Sequence, residues 1–455
     1  MSSDYMKSAQ EAKQRLDTVS DTMCLAKWMQ TSLHLTTGMT NSCYHPPLHK
    51  INKDQIKHTP SKLHNTDHKK KIRRMMLEGQ RPGECSYCWN VEDTGAMSDR
   101  HYRSGEPWAL DHWTKITVDP NADHIPTYVE VDFNNACNFK CSYCSPQYST
   151  TWAQETETHG AYPTKVPHND PSHFKGERQV LPQKDNPYVE AFWKWWPDLY
   201  PKLRHFRMTG GEPMMDKNTY KVFQYVLDNP KKDLHLNVTS NFCPPKKELG
   251  DRYFSMVKEM CGKMLIEHFM QFVSLDAYGE KGEYIRNGMC FDTVDKNIHR
   301  YLTDIPGRNS LTFIITMNNL SVSSLKKMMR YILLLREMYS STYQRVWFDT
   351  PILRFPIWQH IGLLDQNFNH YFEEAIDFMQ QHKDNSDMVA FRDFEIAKLQ
   401  RTYKIMQQGL DNREQHLADF WRFFRTHDSR RETDLLGVFP EYKEWFKECQ
   451  QATKI

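Results

Sequence analysis

No stretch of this 455-residue sequence approaches the roughly 20 consecutive apolar residues that a membrane-spanning helix needs. A strong charge of either sign is missing too. Formal net charge is +2, so no global field points to nucleic acid or to a membrane surface. Apolar residues make up only 39% of the chain and mean hydropathy is −0.75, low for this length. Its first residues, MSSDYMKSAQEAKQRLD, have no apolar centre and do not read as a secretory leader. Cysteines are neither dense nor evenly spread, which argues against a disulfide framework. These shortages predict a wet-surfaced globular protein of the cytoplasm.

Aromatic residues and grouped cysteines are what the chain does have. Aromatics reach 13%, with 12 Trp and 22 Tyr, so burial is expected to rely on large rings. Of eleven Cys, seven precede residue 145 in tight groups, while Cys243, Cys261, Cys290 and Cys449 are scattered. Grouping of this kind favours metal ligation in a reducing compartment.

The densest group lies in Val129 to Pro146, VEVDFNNACNFKCSYCSP. Tyr128 to Phe133 alternates apolar and polar residues as a half-buried strand does and stops at the turn signal Asn134-Asn135. Cys137, Cys141 and Cys144 follow, separated by three and then two residues. A loop of that length can wrap three thiolates around three corners of an iron–sulfur cubane. One iron would stay open, because a closed cluster takes four Cys. A zinc site with a distant fourth ligand, or three reduced core thiols, are the other readings of the spacing.

The spacing resembles that of radical S-adenosylmethionine (SAM) enzymes. In that family the open iron of a [4Fe-4S] cluster chelates the amino and carboxylate groups of SAM. The aromatic residue before the third Cys, here Tyr143, lies near the adenine. About 65 residues on, strand Leu203 to Met208 runs into Thr209-Gly210-Gly211-Glu212-Pro213. Paired glycines at a strand end let backbone approach a ligand closely, and the carboxylate can accept from an ammonium. The resemblance assigns Gly210, Gly211 and Glu212 to the SAM amino group. It also implies Asn241 and Ser274 at the SAM ribose and Arg286 at its carboxylate, although strand-end polar residues often only cap the next helix.

Strands at 128–133, 203–208, 234–239, 270–275, 311–317 and 345–348, separated by helical patterns such as Leu325 to Met338, predict parallel strands with right-handed crossovers. Ligands then gather at the strands' carboxyl ends. The fold class expected is α/β: a partial (β/α)6 TIM-like barrel of the radical SAM type over 121–360. Residues 159–189, rich in Pro, His, Asn and Lys, form an excursion placed to cover a site. A helical C-terminal extension follows over 361–455, its 368–379 segment patterned as core.

Before the barrel lie a polar segment (1–20) and a Cys-rich unit (21–120). Cys24, Gly38 and Cys43 describe a hairpin whose Gly makes the turn, and a helix from Asp67 to Glu78 leads to Cys85 and Cys88. Four Cys in two pairs suit a second cluster or one zinc. Six His (34, 45, 49, 58, 64, 68) crowd the unit and offer further ligands. The hairpin spacing and Gly79 to Cys88 resemble the SPASM and twitch auxiliary-cluster domains of radical SAM proteins from bacteria and phages, which implies an auxiliary [4Fe-4S] cluster on Cys24, Cys43, Cys85 and Cys88. In better-known relatives this domain follows the barrel; here it precedes it. The basic run His68 to Arg74 reads as a solvated helix face rather than a nucleic-acid site.

Taken together, the resemblance implies reductive cleavage of SAM, an external donor of the flavodoxin or ferredoxin type, and hydrogen abstraction from a peptide or protein. A nucleotide or small metabolite is the second substrate class, and a non-catalytic Zn or Fe–S scaffold the reading from another class. Cys243 is either a hydrogen donor or a buried inert thiol, and Cys449 a plain thiol. The tail Asp428-Ser429-Arg430-Arg431 to Glu441 resembles the same twitch proteins and acquires no chemistry from the sequence.

Overall fold

A computed structural model describes residues 3–111, 113, 119–169, 179–182 and 184–454. The chain forms two compact units. One comprises Met1–Asn134, Gln179–Gly210 and Asn229–Asn237; the other comprises Asn135–Arg178, Gly211–Asp228 and Val238–Ile455. Part of the 159–189 excursion, at 170–178 and 183, lies outside the described residues.

Strands of the first unit are β1 (Gln30–His34), β2 (Met39–Asn41), β3 (His49–Lys50), β4 (Tyr128–Asp132), β6 (His205–Thr209) and the first part of β7 (Lys231–Ser240); β5 (Lys140–Cys141) belongs to the second unit. Their order is β7-β6-β4-β1-β2-β3. β1 and β2 make the antiparallel hairpin that Gly38 predicts. The sequence did not foretell that β1 pairs parallel with β4, Gln30 opposite Tyr128 and His34 opposite Asp132, so the Cys-rich hairpin extends the same ladder as the expected first barrel strand. β4 and β6 are parallel, Val131 opposite Met208. The helix Asp67–Leu77 starts where Thr66 accepts from the Lys69 amide, an N-cap that satisfies one otherwise orphaned donor. Its Ile72 and Met76 bury against Leu25, Trp28, Trp89 and Trp108, a core built on rings.

In the second unit β8 (Ile266–Ser274), β10 (Asn309–Ile314) and β11 (Val346–Asp349) are parallel, and β9 (Arg286–Asn287) pairs antiparallel with β5 as a separate ribbon. Alternating helices such as Leu325–Tyr339 and Phe291–Asp304 fit right-handed crossovers, and their buried faces carry Leu325, Met328, Ile332 and Ile298. The fold is therefore mixed α/β with mostly parallel strands. After residue 360 the chain is helical at Asn369–Gln381, Asp393–Gln408, Arg413–Arg431 and Lys443–Ala452. Phe372, Ala375, Ile376 and Met379 are buried, as their spacing predicts. Among the described residues no helix is long and apolar enough to cross a membrane.

Candidate functional site

The three-cysteine loop is fixed by side chains that bond its backbone. Ser149 and Thr151 both donate to the Phe139 carbonyl at 2.7 Å, Trp152 Nε1 donates to the Cys141 carbonyl at 2.9 Å, and Asn135 Nδ2 donates to the Pro146 carbonyl at 3.1 Å. Ser142 and Gln359, both buried, exchange two bonds: the Ser142 hydroxyl donates to Gln359 Oε1 at 2.8 Å, and Gln359 Nε2 donates to the Ser142 carbonyl at 3.1 Å. The described start of the excursion reaches the loop as well. His168 Nε2 bonds the Tyr143 carbonyl at 3.0 Å, and Asn169 Nδ2 donates to the Cys144 carbonyl at 2.9 Å.

Cys137, Cys141 and Cys144 are half-buried and unbridged. Burial pushes the Cys144 thiol up to about 12, and its neighbour Cys141 adds to the rise. Cys137 is raised by burial and then by Cys141, Glu212 and Cys144. Cys141 is raised by burial, with Arg286 opposing the rise. Holding all three as thiolates calls for a cationic centre among them.

Beside the loop lies the Gly-Gly-Glu stretch. A Cβ on Gly211 would sit 2.3 Å from the Ala136 carbonyl oxygen and 2.6 Å from the Asn135 carbonyl carbon, and the Glu212 amide donates to that same Ala136 oxygen at 2.7 Å. The room that glycine provides here is filled by the backbone of the cysteine loop itself. Gly210 belongs to the first unit; its φ is +117°, and a Cβ there would meet the Asn134 oxygen at 2.8 Å.

Glu212 is buried. Its carboxylate accepts from the Met214 amide at 2.9 Å, the Ser240 hydroxyl at 2.7 Å and the Asn241 amide at 2.7 Å. Burial still raises it to about 7, with those three donors opposing the rise and no cation among its causes. A buried carboxylate with donors but no counter-ion is complementary to an ammonium.

On the other side of the loop stands a trio that composition and spacing did not reveal as a unit. Arg286 Nη2 donates to Asp276 Oδ1 at 2.9 Å and to the Tyr143 hydroxyl at 2.6 Å, while that hydroxyl donates to Asp276 Oδ2 at 2.7 Å. The Thr316 amide also donates to Asp276 at 2.9 Å. Arg286 Nη1 approaches Cys141 Sγ at 3.7 Å, and its buried Nε has no hydrogen-bond partner. Asp276 follows β8, so the rule that ligands gather at strand carboxyl ends could have singled it out.

The remaining sequence candidates divide. Asn241 is buried, its Nδ2 donating to Asn138 Oδ1 at 2.9 Å and its Oδ1 accepting from the Cys243 amide at 2.9 Å, so it lies among the Glu212 contacts. Ser274 closes β8 opposite Ile314 and is partly exposed. Cys243 is buried, and its thiol is raised by burial, with Cys290 and Glu212 among its neighbours.

In the first unit Cys24, Cys43, Cys85 and Cys88 line one cavity, together with Lys27, Arg100, Asp99 and His45. Burial pushes Cys24 and Cys85 up to about 12 and Cys88 to about 11, with neighbouring thiols contributing in each. Two buried cations edge this cavity. Lys27 pairs with Glu84, and Arg100 pairs with Glu92 at 2.7 Å. Among the described residues no three His, Cys, Asp or Glu side chains are grouped as a metal site, and this holds for Cys137, Cys141 and Cys144 as for these four. Four cysteines around one cavity with two cations beside it are donors for a thiolate-held metal ion or an iron–sulfur cluster. His45, in the cavity lining, bonds Asp99 through Nε2, and its buried Nδ1 has no hydrogen-bond partner; the others bond elsewhere, His34 to Asp132, His49 to Thr66, His64 to the Trp28 carbonyl and His68 to Glu84. His58 ends the helix Lys53–His58.

No family model matches the chain, and no curated protein matches it. Two crystal structures of Streptococcus suis SuiB align with it, one bound to S-adenosylmethionine and one to the precursor peptide SuiA. Identities are 12% and 11% and TM-scores 0.35 and 0.33, each over 78% of this chain and 70% of SuiB. Similarity at that level carries no argument about this chain's chemistry, which rests on its own residues.

Proposed function

We propose that this chain is a radical SAM enzyme of the partial (β/α)6-barrel type, whose second unit binds a [4Fe-4S] cluster through Cys137, Cys141 and Cys144, and SAM beside it. The observation that carries the reading is the pair of opposite charges flanking the thiols. The Glu212 carboxylate, without a counter-ion, acts on Cys137. The Arg286 guanidinium, with a free Nε, acts on Cys141 and Cys144. SAM presents an ammonium and a carboxylate on one carbon, and these two side chains complement that pair. A cluster held by these three cysteines would supply the electron for reductive cleavage of the C5′–S bond of SAM to methionine and a 5′-deoxyadenosyl radical, the chemistry that would abstract hydrogen from a substrate.

This chain's residues supply the rest. Glu212 receives the ammonium. Arg286, held by Asp276, presents Nε toward a carboxylate. Tyr143, fixed through its hydroxyl, offers a ring face to the adenine. Gly211 brings the Glu212 backbone against the loop, while His168 and Asn169 close over the carbonyls of Tyr143 and Cys144. Cys24, Cys43, Cys85 and Cys88 hold an auxiliary cluster, for which the cavity with Lys27 and Arg100 beside it is the support. The resemblance to auxiliary-cluster relatives supports a peptide or protein as substrate and a flavodoxin- or ferredoxin-type electron donor.

The test is electron paramagnetic resonance of anaerobically reduced, iron-reconstituted protein with and without SAM. One cluster signal should change on SAM addition. That response should disappear in Cys141→Ala and persist in Cys85→Ser. A full iron load with no SAM-sensitive signal would overturn the assignment.

A further inference from the structure

The tail Asp428-Ser429-Arg430-Arg431, which acquired no chemistry from the sequence, ends the Arg413–Arg431 helix. Each of its charged side chains grips a different segment near the three-cysteine loop. Arg431 is 1% exposed and faces Glu155, itself 4% exposed. Its Nε meets Glu155 Oε2 at 3.1 Å, and its Nη1 donates to the Lys140 carbonyl at 2.7 Å across a sequence separation of 291. The guanidinium also lies 4.6 Å from the Trp152 ring centroid, the same Trp152 that bonds the Cys141 carbonyl. Lys140 Nζ and the Tyr162 hydroxyl complete the shell of Glu155, which Arg431 and the other donors hold at about 2 despite burial. Arg430 donates to the carbonyls of His159, Gly160 and Ala161 at 3.0–3.1 Å, and so pins the exit of the helix behind the loop.

Asp428 reaches the helix Glu280–Ile285, which leads into the opposite strand. The Tyr284 hydroxyl donates to Asp428 Oδ1 at 2.6 Å, two residues before Arg286. In the β5–β9 ribbon Lys140 pairs with Asn287 and Cys141 with Arg286. One end of one helix therefore holds the Lys140–Cys141 strand directly and, through Tyr284, the helix that runs into Arg286–Asn287, the two-residue ribbon that carries a proposed cluster ligand and the proposed SAM-carboxylate residue. So short a ribbon is not stable alone, and its placement must come from outside it.

We propose that Asp428 and Arg431 are positioning residues of the three-cysteine site: Arg431 holds the Lys140–Cys141 strand, Asp428 holds the helix that enters the Arg286–Asn287 strand, and Arg431 adds a second buried guanidinium charge beside the loop. This rests on the radical SAM reading. A fixed cation near an iron–sulfur cluster favours its more negative, reduced state, since net charge and hydrogen bonding around the sulfurs set its potential. The clamp and the charge are separable. Arg431→Lys keeps the charge and loses the fork; Arg431→Met loses both.

The experiment uses the full-length, reconstituted protein and follows the SAM-responsive cluster signal through a redox titration. Iron release to a chelator is timed in parallel. Arg431→Met is expected to shift the midpoint potential negative and to speed iron release several-fold. Arg431→Lys and Asp428→Asn should release iron faster at a near wild-type potential. If Arg431→Met does not fold, Arg431→Lys and Asp428→Asn decide the clamp. Wild-type potentials and release rates in every folded variant would overturn the inference while leaving the radical SAM reading intact. A wild-type protein without any SAM-responsive cluster would overturn both.

Discussion

Arg286 and Asp276 form an ion pair at 2.9 Å whose side chains are 7% and 0% exposed. Removing one partner of such a pair leaves an uncompensated buried charge and costs about 3–5 kcal/mol. Asp276→Ala should destabilise the second unit by that amount in urea unfolding of the cluster-free protein. It should also free Arg286 and Tyr143 from their shared anchor and weaken SAM binding. A loss below about 1 kcal/mol would mean that the pair is solvated and does not fix Arg286.

Glu212 gives a pH dependence of defined sign. Its carboxyl is raised from 4.5 to about 7 in the folded protein, so between those values the folded chain holds a proton that the unfolded chain has released. Its contribution to stability is complete below 4.5 and lost as pH rises through 7. Ammonium binding needs both the carboxylate anion and the protonated amine, so SAM affinity should climb as pH rises through about 7 and fall again above about 8, where an α-amino group loses its proton. Glu212→Gln removes a hydrogen bond to a charged group, about 1.5–3 kcal/mol or roughly 10–100-fold in affinity, and should flatten the profile. Calorimetric titration with SAM at several pH values measures both; an unchanged rise in the variant would show that another group titrates.

Gly211→Ala places a methyl group where the Ala136 carbonyl already lies. Overpacking of this kind costs about 1–3 kcal/mol and should displace the cysteine loop. The variant should fold yet retain less iron in the SAM-responsive cluster, with the auxiliary signal unchanged. Equal loss of both signals would point to global unfolding instead.

If four Cys hold one cubane and three hold the other, as proposed, Cys24→Ser should remove roughly half of the iron from the reconstituted protein. The SAM-sensitive signal should survive. Zinc in place of iron in the wild-type first unit, measured by elemental analysis after anaerobic purification, would contradict the auxiliary-cluster assignment.

Much of this was legible where the signal is local. Alternation at Tyr128–Phe133, the Gly38 turn and helical spacing at Phe372–Met379 each depend on near neighbours, and the structure has a strand, a hairpin and a buried helix face there. Cysteine spacing likewise groups Cys137, Cys141 and Cys144. Long-range pairing was not legible. Nothing in QTSLH indicates that β1 pairs parallel with β4, since burial on both faces erases the alternation that marks a strand's side. Arg431 is one of many arginines until the fold brings it to Lys140, 291 residues away in sequence. Gly211 was legible as a close-approach glycine, but what approaches it is the loop's own backbone.

The most direct test of the central claim is release of 5′-deoxyadenosine from SAM by the anaerobically reconstituted, dithionite-reduced protein, quantified by chromatography beside Cys141→Ala. The account predicts release by the wild type and none by the variant, whose auxiliary cluster remains. Equal release by both, or none from wild-type protein that carries its full iron load and is supplied with a peptide substrate, would contradict it.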